Sequence, residues 1–453
     1  MAEKLNSAIL DDTVSGARGT AQSPSDAAPD SRVGRMLARR LGAAIAAVVA
    51  LRYRVEAQGL ETVSAAPGTL LLVTHRRDAD VPIIGNLIAC APAMKAADRV
   101  PHFVAREDLF HSGLLWEYTE RWPTPVREAL SLINLLPVMR VLHAHPMRRV
   151  PEHSVREVLG DALATCGNLP LDQVLKPVWV ERFMRLAPPR AASLTTAQAL
   201  AHRYGTLLRL PHGFRKLTHA CFTALEPCER AVIAAHLQCC IDLINRGAVL
   251  LLEPEGAVSR DGHFGRLRAA LHTLVSQPSI DTRAQPIGIS YDFMSPGRTA
   301  VFVAVGPLLH GVKHLGHHAT CAKVKAALLA QSTITATHLG SRLLHLHAGE
   351  RLYATDISRF LRQGAAHCAA AGVRVDRRLL DPHASAARTR TFIDYCVRCE
   401  LLAADSSNRF IVCRDGTGLR RRLADPRHAL AHANNELTEI VAAYPGLLER
   451  IAR

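Results

Sequence analysis

Short apolar runs that end in polar loops organise the middle of the chain. Thr69–Val73 is followed by Thr-His-Arg-Arg-Asp-Ala-Asp, and Ala248–Leu252 is followed by Glu-Pro-Glu-Gly. Uninterrupted apolar runs of this length are typical of buried strands. Further strands are predicted at Pro101–Ala105, Gln285–Tyr291 and Val301–Gly306. In open α/β sheets reactive groups collect where strands end, so the loops after these strands are the first places to look for chemistry.

Helical periodicity dominates much of the remaining chain and sets the predicted organisation. A helix is expected at 81–91, directly after the first polar loop. The predicted fold class is α/β, a mixed sheet flanked by helices, with a helical insertion and a helical C-terminal region. The predicted boundaries are a disordered tail at 1–32, an interfacial helix at 33–60, a core domain at 61–312 with an insertion at about 145–235, and the helical region 313–453.

An apolar segment bounded by arginines follows the tail. Leu41–Leu51 lies between Arg40 and Arg52, with Arg35 and Arg39 just before it. Eleven apolar or small residues are too few to cross a bilayer. They fit a helix that lies in the membrane interface with its arginines on lipid phosphates. An ordinary helix packed against the domain explains the pattern equally well.

Charge and composition point to an anionic partner. The 453 residues carry a formal net charge of +15, with 48% apolar and 5% aromatic residues. Such an excess favours an anionic membrane surface or nucleic acid, although a compositional preference for arginine accounts for part of it. No recognised nucleic-acid module or aromatic platform accompanies the charge, so nucleic acid is not a predicted partner.

Cysteine usage and hydropathy bear on location. The 11 cysteines have no framework spacing, which is typical of reduced thiols in a cytosolic protein. A single Cys-x-x-Cys at 396–399 and irregularly spaced histidines predict no metal site. The N-terminus is polar, and no apolar run reaches the roughly 18 to 20 residues of a spanning helix. The expected location is therefore cytoplasmic, peripheral on the inner face of the membrane.

His75 and Asp80 stand at the end of the first predicted strand with four residues between them. If the chain turns back there, the carboxylate can accept from one imidazole nitrogen and leave the other nitrogen basic. Such a pair can take a proton from a substrate hydroxyl without a protein nucleophile. Pairs at this spacing also arise by chance, and Asp78 is an alternative as a helix N-cap.

The loop Glu253–Gly262, which follows the strand at 248–252, contains two glycines. Its backbone amides, together with Arg260, Arg266 and Arg268, can hold a phosphate group. A plain glycine turn with solvated charges is the alternative.

Several stretches, in this order, resemble the motifs of the glycerolipid acyltransferase family, which includes the lysophosphatidic acid acyltransferases. The matching stretches span about residues 69 to 306. They are His75 with Asp80 for the first motif, Phe103–Phe110 for the second, Leu136–Arg140 for a short strand ending in Arg, Glu253–Arg260 for the third and Pro286–Tyr291 for the fourth.

The resemblance implies the fold of that family and an O-acyltransferase reaction. A fatty acyl chain passes from acyl-CoA or acyl carrier protein to a hydroxyl of a lysophospholipid or glycerol phosphate. His75 is then the general base and Asp80 orients it, with no metal, no cofactor and no covalent intermediate. The implied substrate-binding residues are Arg106, Arg140, Glu255, Gly256, Ser259 and Arg260. The alternative is a non-catalytic membrane- or lipid-binding protein that keeps this fold.

The chain departs from the family pattern at a few positions. Thr74 stands where the family often has Asn, and Arg77 where it often has Ser. Ala257 and Val258 replace the usual Thr and Arg after Pro-Glu-Gly. The missing arginine predicts a weak preference for a phosphorylated acceptor unless Arg77 or Arg260 replaces it.

Overall fold

The structure is a computed structural model. It describes residues 32–110, 123, 126, 130, 134–148, 153–188, 192–201, 204–210, 212–259, 261–295, 297–404, 409–412 and 429–452. The predicted disordered tail therefore lies outside the described residues, except for Arg32.

A seven-stranded mixed sheet, flanked by helices, confirms the predicted α/β class. The strand order is β1-β7-β6-β2-β5-β3-β4. Strand β2 pairs in parallel with β5 and β6, and β1 pairs in parallel with β7, whereas β6 and β7 are antiparallel. The strands are β1 Tyr53–Gln58, β2 Thr69–Val73, β3 His102–Arg106, β4 Ala144–Met147, β5 Leu250–Leu252, β6 Arg283–Asp292 and β7 Thr299–Val305.

The α-helices of the described residues are numbered in chain order. They are α1 Arg32–Arg52, α2 Asp80–Ala89, α3 Pro92–Ala96, α4 Leu136–Val141, α5 Val155–Cys166, α6 Leu171–Val174, α7 Pro177–Met184, α8 Thr196–Ala199, α9 Gly205–Leu208, α10 His219–Asn245, α11 Ala269–Ser276, α12 His317–Leu329, α13 Ala336–Leu346, α14 Ala354–Ala370, α15 Pro382–Arg398, α16 Ala429–Val441 and α17 Leu447–Ala452.

Contacts divide the chain into two compact units. The first comprises 104–240, and the second comprises 31–103 together with 241–453. The predicted insertion, 145–235, falls within the first unit, which has a hydrophobic core of its own built from residues between Val155 and Leu225. The predicted C-terminal region, 313–453, is not a separate unit but belongs to the second one.

The core of the second unit surrounds the two strands β2 and β5. Every residue of β2 and β5 is buried, as their uninterrupted apolar sequences predict. Ile83, Ile84 and Ile88 of α2 pack into the same hydrophobic cluster as Leu71. Strand β2 and the helix that follows it are therefore fixed against one core, and this fixes the turn between them.

Several predicted boundaries differ from the structure. The helix predicted at 33–60 ends at Arg52, and Tyr53–Gln58 forms β1, whose backbone pairs in parallel with β7. The short strand predicted at Leu136–Arg140 is helix α4, whose first turn contains Pro137. Proline suits that position because its fixed φ is helical and because an N–H at that position would have no partner within the helix.

The C-terminal region also contains a small antiparallel sheet. Its strands are β8 Arg351–Tyr353, β9 Leu402–Ala404 and β10 Arg409–Val412, in the order β8-β10-β9.

Helix α1 has an exposed apolar face. Val48 is 68% exposed and Leu51 is 79% exposed, and Val33, Met36 and Leu37 are also exposed. Arg35 and Arg39 instead bind Asp98 at 2.7 and 2.8 Å. These two arginines are thus held by the protein, contrary to the expectation that they bind lipid phosphates. No described helix, α1 included, is long and apolar enough to cross a membrane.

A buried ion cluster ties the C-terminal region to the sheet. Arg388 of α15 binds Asp292, the last residue of β6, and lies 2.8 Å from Asp376. All three side chains are at least 95% buried. Asp292 also accepts from the hydroxyl of Thr337 on α13 at 2.6 Å. Because buried charges are costly when unpaired, this cluster holds α13 and α15 against the end of β6.

Replacing Arg388 with methionine is expected to destabilise the protein by about 3–5 kcal/mol, because the buried carboxylate of Asp292 loses its counter-charge, although Asp376 keeps Arg378. The free energy of unfolding from urea denaturation measures this. The control is Arg390→Met, a change on the exposed face of the same helix, with an expected effect within about 0.5 kcal/mol. Equal effects of the two changes would contradict the role given to the cluster.

Candidate functional site

The site begins where β2 ends. Thr74 follows the strand and is fully buried. Its N–H donates to the carbonyl of Ile287 at 3.2 Å, and its hydroxyl accepts from the N–H of Ile289 at 3.0 Å. The chain thus leaves the sheet at a fixed position on the carboxyl edge of β2, and the next residue is His75.

Asp80 organises the turn. It is the first residue of α2 and is completely buried. Its Oδ2 accepts the backbone N–H of Arg76 at 2.5 Å and that of Arg77 at 2.8 Å. Its Oδ1 accepts from the hydroxyl of Tyr291 on β6 at 2.5 Å. Asp78, the alternative helix N-cap in the sequence, does not have that role, since the N-cap is Ala79 and has no side-chain capping bond.

His75 faces two carboxylates. Its Nδ1 lies 3.4 Å from Oδ2 of Asp80 and 2.9 Å from Oε1 of Glu253. The imidazole is largely buried, and among the described residues its Nε2 has no hydrogen-bond or ion-pair partner. The predicted pairing of His75 with Asp80 is thus present in the structure, and a second carboxylate that the sequence analysis missed is nearer.

The parallel register explains the position of Glu253. Leu252 of β5 pairs with Leu72 of β2, and both strands run in the same direction. The residues that follow these strands therefore emerge side by side at the same edge of the sheet. The sequence contains one signal for this, since Glu253 directly follows an apolar run, but the pairing of β2 with β5 is needed to use it.

The two carboxylates change the acid–base behaviour of His75. Burial by itself lowers the pKa of the imidazole, but the hydrogen bonds with Asp80 and Glu253 outweigh it and raise the pKa from 6.5 to about 9. This charged arrangement stabilises the folded state fully below pH 6.5, and the contribution is lost as the pH rises through about 9. At neutral pH the resting imidazole is therefore mainly protonated.

The loop after β5 is hydrogen-bonded to the backbone of His75. Glu255 is 3% exposed, and its carboxylate accepts the N–H of His75 at 3.2 Å and that of Gly265 at 2.7 Å. The N–H of Ser259 donates to the carbonyl of His75 at 3.2 Å, and the Ser259 hydroxyl donates to His263. Glu255 and Ser259 thus hold two loops together through the main chain of His75.

Gly256 has a positive φ of 73° that favours glycine, and a Cβ there would lie 3.0 Å from the side chain of Arg268. Arg268 in turn donates from Nε to the carbonyl of Glu255 at 3.1 Å. The glycine therefore lets the arginine cross closely over the loop.

The remaining predicted site residues do not belong to the described part of the second unit. Arg106 is the last residue of β3 and Arg140 is in α4, and both belong to the first unit, 104–240. Arg260 lies outside the described residues. The structure thus brings together His75, Asp80, Glu255, Gly256 and Ser259 in the second unit.

The guanidinium of Arg77 packs against two aromatic rings beside the turn that follows β2. Its guanidinium carbon lies 4.0 Å from the ring centroid of Phe293 and 5.2 Å from that of Tyr291. The two rings are stacked, with centroids 6.2 Å apart. Arg77 is partly exposed, and in the described part of the chain its guanidinium has no carboxylate partner. Cation–π contact therefore holds a charge that remains available to an anion.

Within the residues that the structure describes, two clusters have ligand atoms near enough to one another for a metal ion. The first is His75 with Asp80 and Glu253, whose potential ligand atoms lie within 4.8 Å of one another. Asp80 already accepts three hydrogen bonds, which favours a protonated imidazole between the carboxylates over a metal ion. The prediction that no metal is bound remains untested.

The second cluster, in the first unit, is His153 with Asp161 and Glu229. The guanidinium of Arg148 lies 2.6 Å from Asp161 and 2.8 Å from Glu229, so an internal cation already occupies this cluster.

Fold and site together define an α/β protein with a buried histidine–carboxylate centre at the carboxyl edge of a mixed sheet. No protein-family model matches the chain, and a search of curated proteins finds no significant relative. Any assignment of function therefore depends on the residues and their geometry.

The pKa of His75 can be measured directly. In the NMR titration of the histidine side chains, we expect a midpoint near 9 for His75, assigned by its absence in His75→Gln. Glu253→Gln should lower this midpoint by about one unit or more, because a hydrogen-bonded charge is removed. Glu350→Gln, the same change at an exposed carboxylate, should leave it unchanged. A midpoint near the ordinary 6.5 in the wild type would rule out the two-carboxylate arrangement.

Proposed function

We propose that this protein is an O-acyltransferase that moves a fatty acyl chain from acyl-CoA or acyl carrier protein to a hydroxyl of a lysophospholipid or glycerol phosphate. One observation carries the proposal. Glu255 binds the backbone of His75 although 180 positions separate them in the chain. The two stretches that resemble the first and third motifs of the glycerolipid acyltransferases thus meet around a histidine paired with a carboxylate.

The geometry of His75 supports the role of general base. Nδ1 faces Asp80 and Glu253, which leaves Nε2 for the acceptor hydroxyl. As Nε2 takes the proton, the oxygen attacks the thioester carbonyl carbon. The carbon–sulfur bond then breaks, and the leaving thiolate takes the proton back from Nε2. The products are an ester and a free thiol, and the enzyme returns to its starting state.

The raised pKa of His75 sets the pH dependence of this reaction. A general base has to be neutral before it accepts a proton, and the pKa of about 9 makes the neutral form a minority at pH 7. The rate is therefore expected to rise with pH until His75 is deprotonated. Glu253 keeps the proton on the imidazole, so its removal shifts the rise toward lower pH.

Arg77 is the residue we assign to a phosphate group of the acceptor or the donor. Its guanidinium lies on the ring of Tyr291, whose hydroxyl binds Asp80. This position is beside the proposed base, and the charge has no carboxylate partner among the described residues. Arg77 thus compensates for the arginine that the resemblance leads one to expect at Val258.

The location we propose is cytoplasmic and peripheral, on the inner face of the membrane. The exposed apolar face of α1, with Val48 and Leu51 at its C-terminal end, suits the interface of a bilayer. Arg40 and Arg52, which are exposed on the same helix, suit its anionic lipids. The net charge of +15 acts in the same direction.

One observation favours the second candidate, a non-catalytic lipid-binding protein that keeps the fold. An imidazole protonated at neutral pH between two carboxylates is also a stable buried ion cluster, and such a cluster needs no substrate. Turnover distinguishes the two candidates.

Thiol release from a long-chain acyl-CoA or acyl carrier protein, with lysophospholipids and glycerol 3-phosphate as acceptors, tests the proposal. We expect release that requires an acceptor, and His75→Ala should reduce it by about 10²-fold or more, since the base is lost. His383→Ala, which alters an exposed histidine, is the control and should match the wild type.

The same assay tests Glu253 and Arg77. Glu253→Gln should shift the pH–rate profile to lower pH, and Arg77→Ala should raise KM for phosphorylated substrates. Acceptor-independent release, or full activity without His75, would remove the proposed base. No release with either donor would leave the lipid-binding candidate.

Membrane binding through α1 is tested with sedimented anionic vesicles. The double change Val48→Glu with Leu51→Glu should weaken binding by about 10²-fold, because each buried apolar side chain contributes roughly 1.5 kcal/mol or more. Leu380→Glu, at another exposed leucine, should bind like the wild type. Undiminished binding of the double variant would exclude this face of α1 as the contact.

A further inference from the structure

Arg76, the residue after His75, is buried with its charge. Its side chain is 2% exposed. Its backbone N–H is held by Asp80, so the side chain and the histidine leave the same rigid turn. A guanidinium so far from water needs a carboxylate near it. Burial raises the pKa of Glu255 in the loop after β5, and the charge of Arg76 is the largest effect that opposes this rise. Among the described residues, however, neither that loop nor the site turn, residues 75–79, forms an ion pair with the Arg76 side chain.

The carboxylate comes from helix α16, close to the end of the chain. Oε1 of Glu436 lies 3.2 Å from Nε of Arg76. Glu436 is itself 5% exposed. Burial raises the pKa of its carboxyl, but Arg76 and His338 outweigh this and lower the pKa to about 2, so that the group is ionised. Its second oxygen lies 3.4 Å from Nε2 of His338 on α13.

The same helix covers the loop after β5. Asn435 donates to the carbonyl of Asp261 at 2.9 Å, and the ring nitrogen Nε2 of His432 lies 3.3 Å from the carbonyl oxygen of Ser259. Gly262 approaches the backbone of His432 so closely that a Cβ there would lie 2.0 Å from its carbonyl oxygen. Helix α16 therefore contacts both stretches that meet at His75.

We infer that Glu436 is a positioning residue of the His75 site, which it holds in place through Arg76. Helix α16 lies outside the stretch that resembles an acyltransferase, and nothing in that resemblance assigns it a part in the site. Where the inference concerns reaction rate it rests on the proposed function. Where it concerns the geometry of His75 it does not.

Two properties separate Glu436 from the other contacts of α16. It forms the ion pair with Arg76. Its carboxylate lies between the buried side chains of Arg76 and His338. Glu439, one turn later, also contacts the loop through His263 at 3.3 Å and reaches Lys325 at 3.2 Å. Glu439 is partly exposed and does not contact Arg76, so it provides a matched control.

The reactivity of His75 with diethyl pyrocarbonate tests the inference without an acyl substrate. The full-length protein is treated at fixed pH, and mass spectrometry of the His75 peptide gives the modification rate. Glu436→Gln should increase that rate roughly fivefold or more, because the turn opens more often when Arg76 loses its counter-charge. Glu439→Gln should stay within about twofold of the wild type, since Arg76 keeps its partner.

Kinetics and a milder variant complete the experiment. Glu436→Gln should reduce kcat about tenfold with little change in KM, because a displaced base affects the reaction more than substrate binding. If Glu436→Gln does not fold, Glu436→Asp takes its place, and the same ranking against Glu439→Gln is expected.

The outcomes separate the two claims. His75 reactivity that stays at the wild-type rate in Glu436→Gln, or that rises equally in Glu439→Gln, overturns the inference whatever the enzyme does. Absence of acyl transfer in the wild type contradicts the proposed function, while the modification rates still decide the role of Glu436.

Discussion

The carboxylate of Asp80 is the group on which the rest of the site depends. It is buried, and four partners from two parts of the chain surround it: two backbone N–H groups, the hydroxyl of Tyr291 and the ring of His75. A carboxylate so far from water is tolerated only while those donors remain in position. The start of α2, the site turn and the end of β6 are therefore fixed relative to one another by a single side chain.

Charged groups of both signs surround that carboxylate. Glu253 and Glu255 both come from the loop after β5, but they act differently. The first faces the imidazole and holds a proton on it, whereas the second binds main-chain N–H groups and shapes the loop. Arg76 supplies the positive charge between this loop and α16. The basicity of His75 is thus a property of the cluster, and a change to any one of these acids alters the others.

How far the sequence predicts this site depends on the distance between the partners along the chain. The contact between His75 and Asp80 follows from spacing, because a short turn brings them together, and β2 and β5 follow from their apolar runs. Glu253 and Tyr291 require the strand order β6-β2-β5, which a single sequence does not reveal. Glu436 lies far along the chain in a helical pattern without a motif. The segment Leu136–Arg140 was predicted wrongly as a strand, because five residues fit a strand or a helix equally well and the preference of Pro137 for a first helical turn was not used.

The C-terminal region is part of the second unit and not the separate helical region that its sequence predicts. Helical periodicity without a motif predicts a separate helical region, yet Arg388 and Glu436 form buried ion pairs with residues at the end of β6 and in the site turn. Neither partner of such a pair is stable alone, because the other is left as an unpaired buried charge. It follows that the strands of the second unit fold together with α13, α15 and α16, and that the environment of His75 is complete only when α16 is in place.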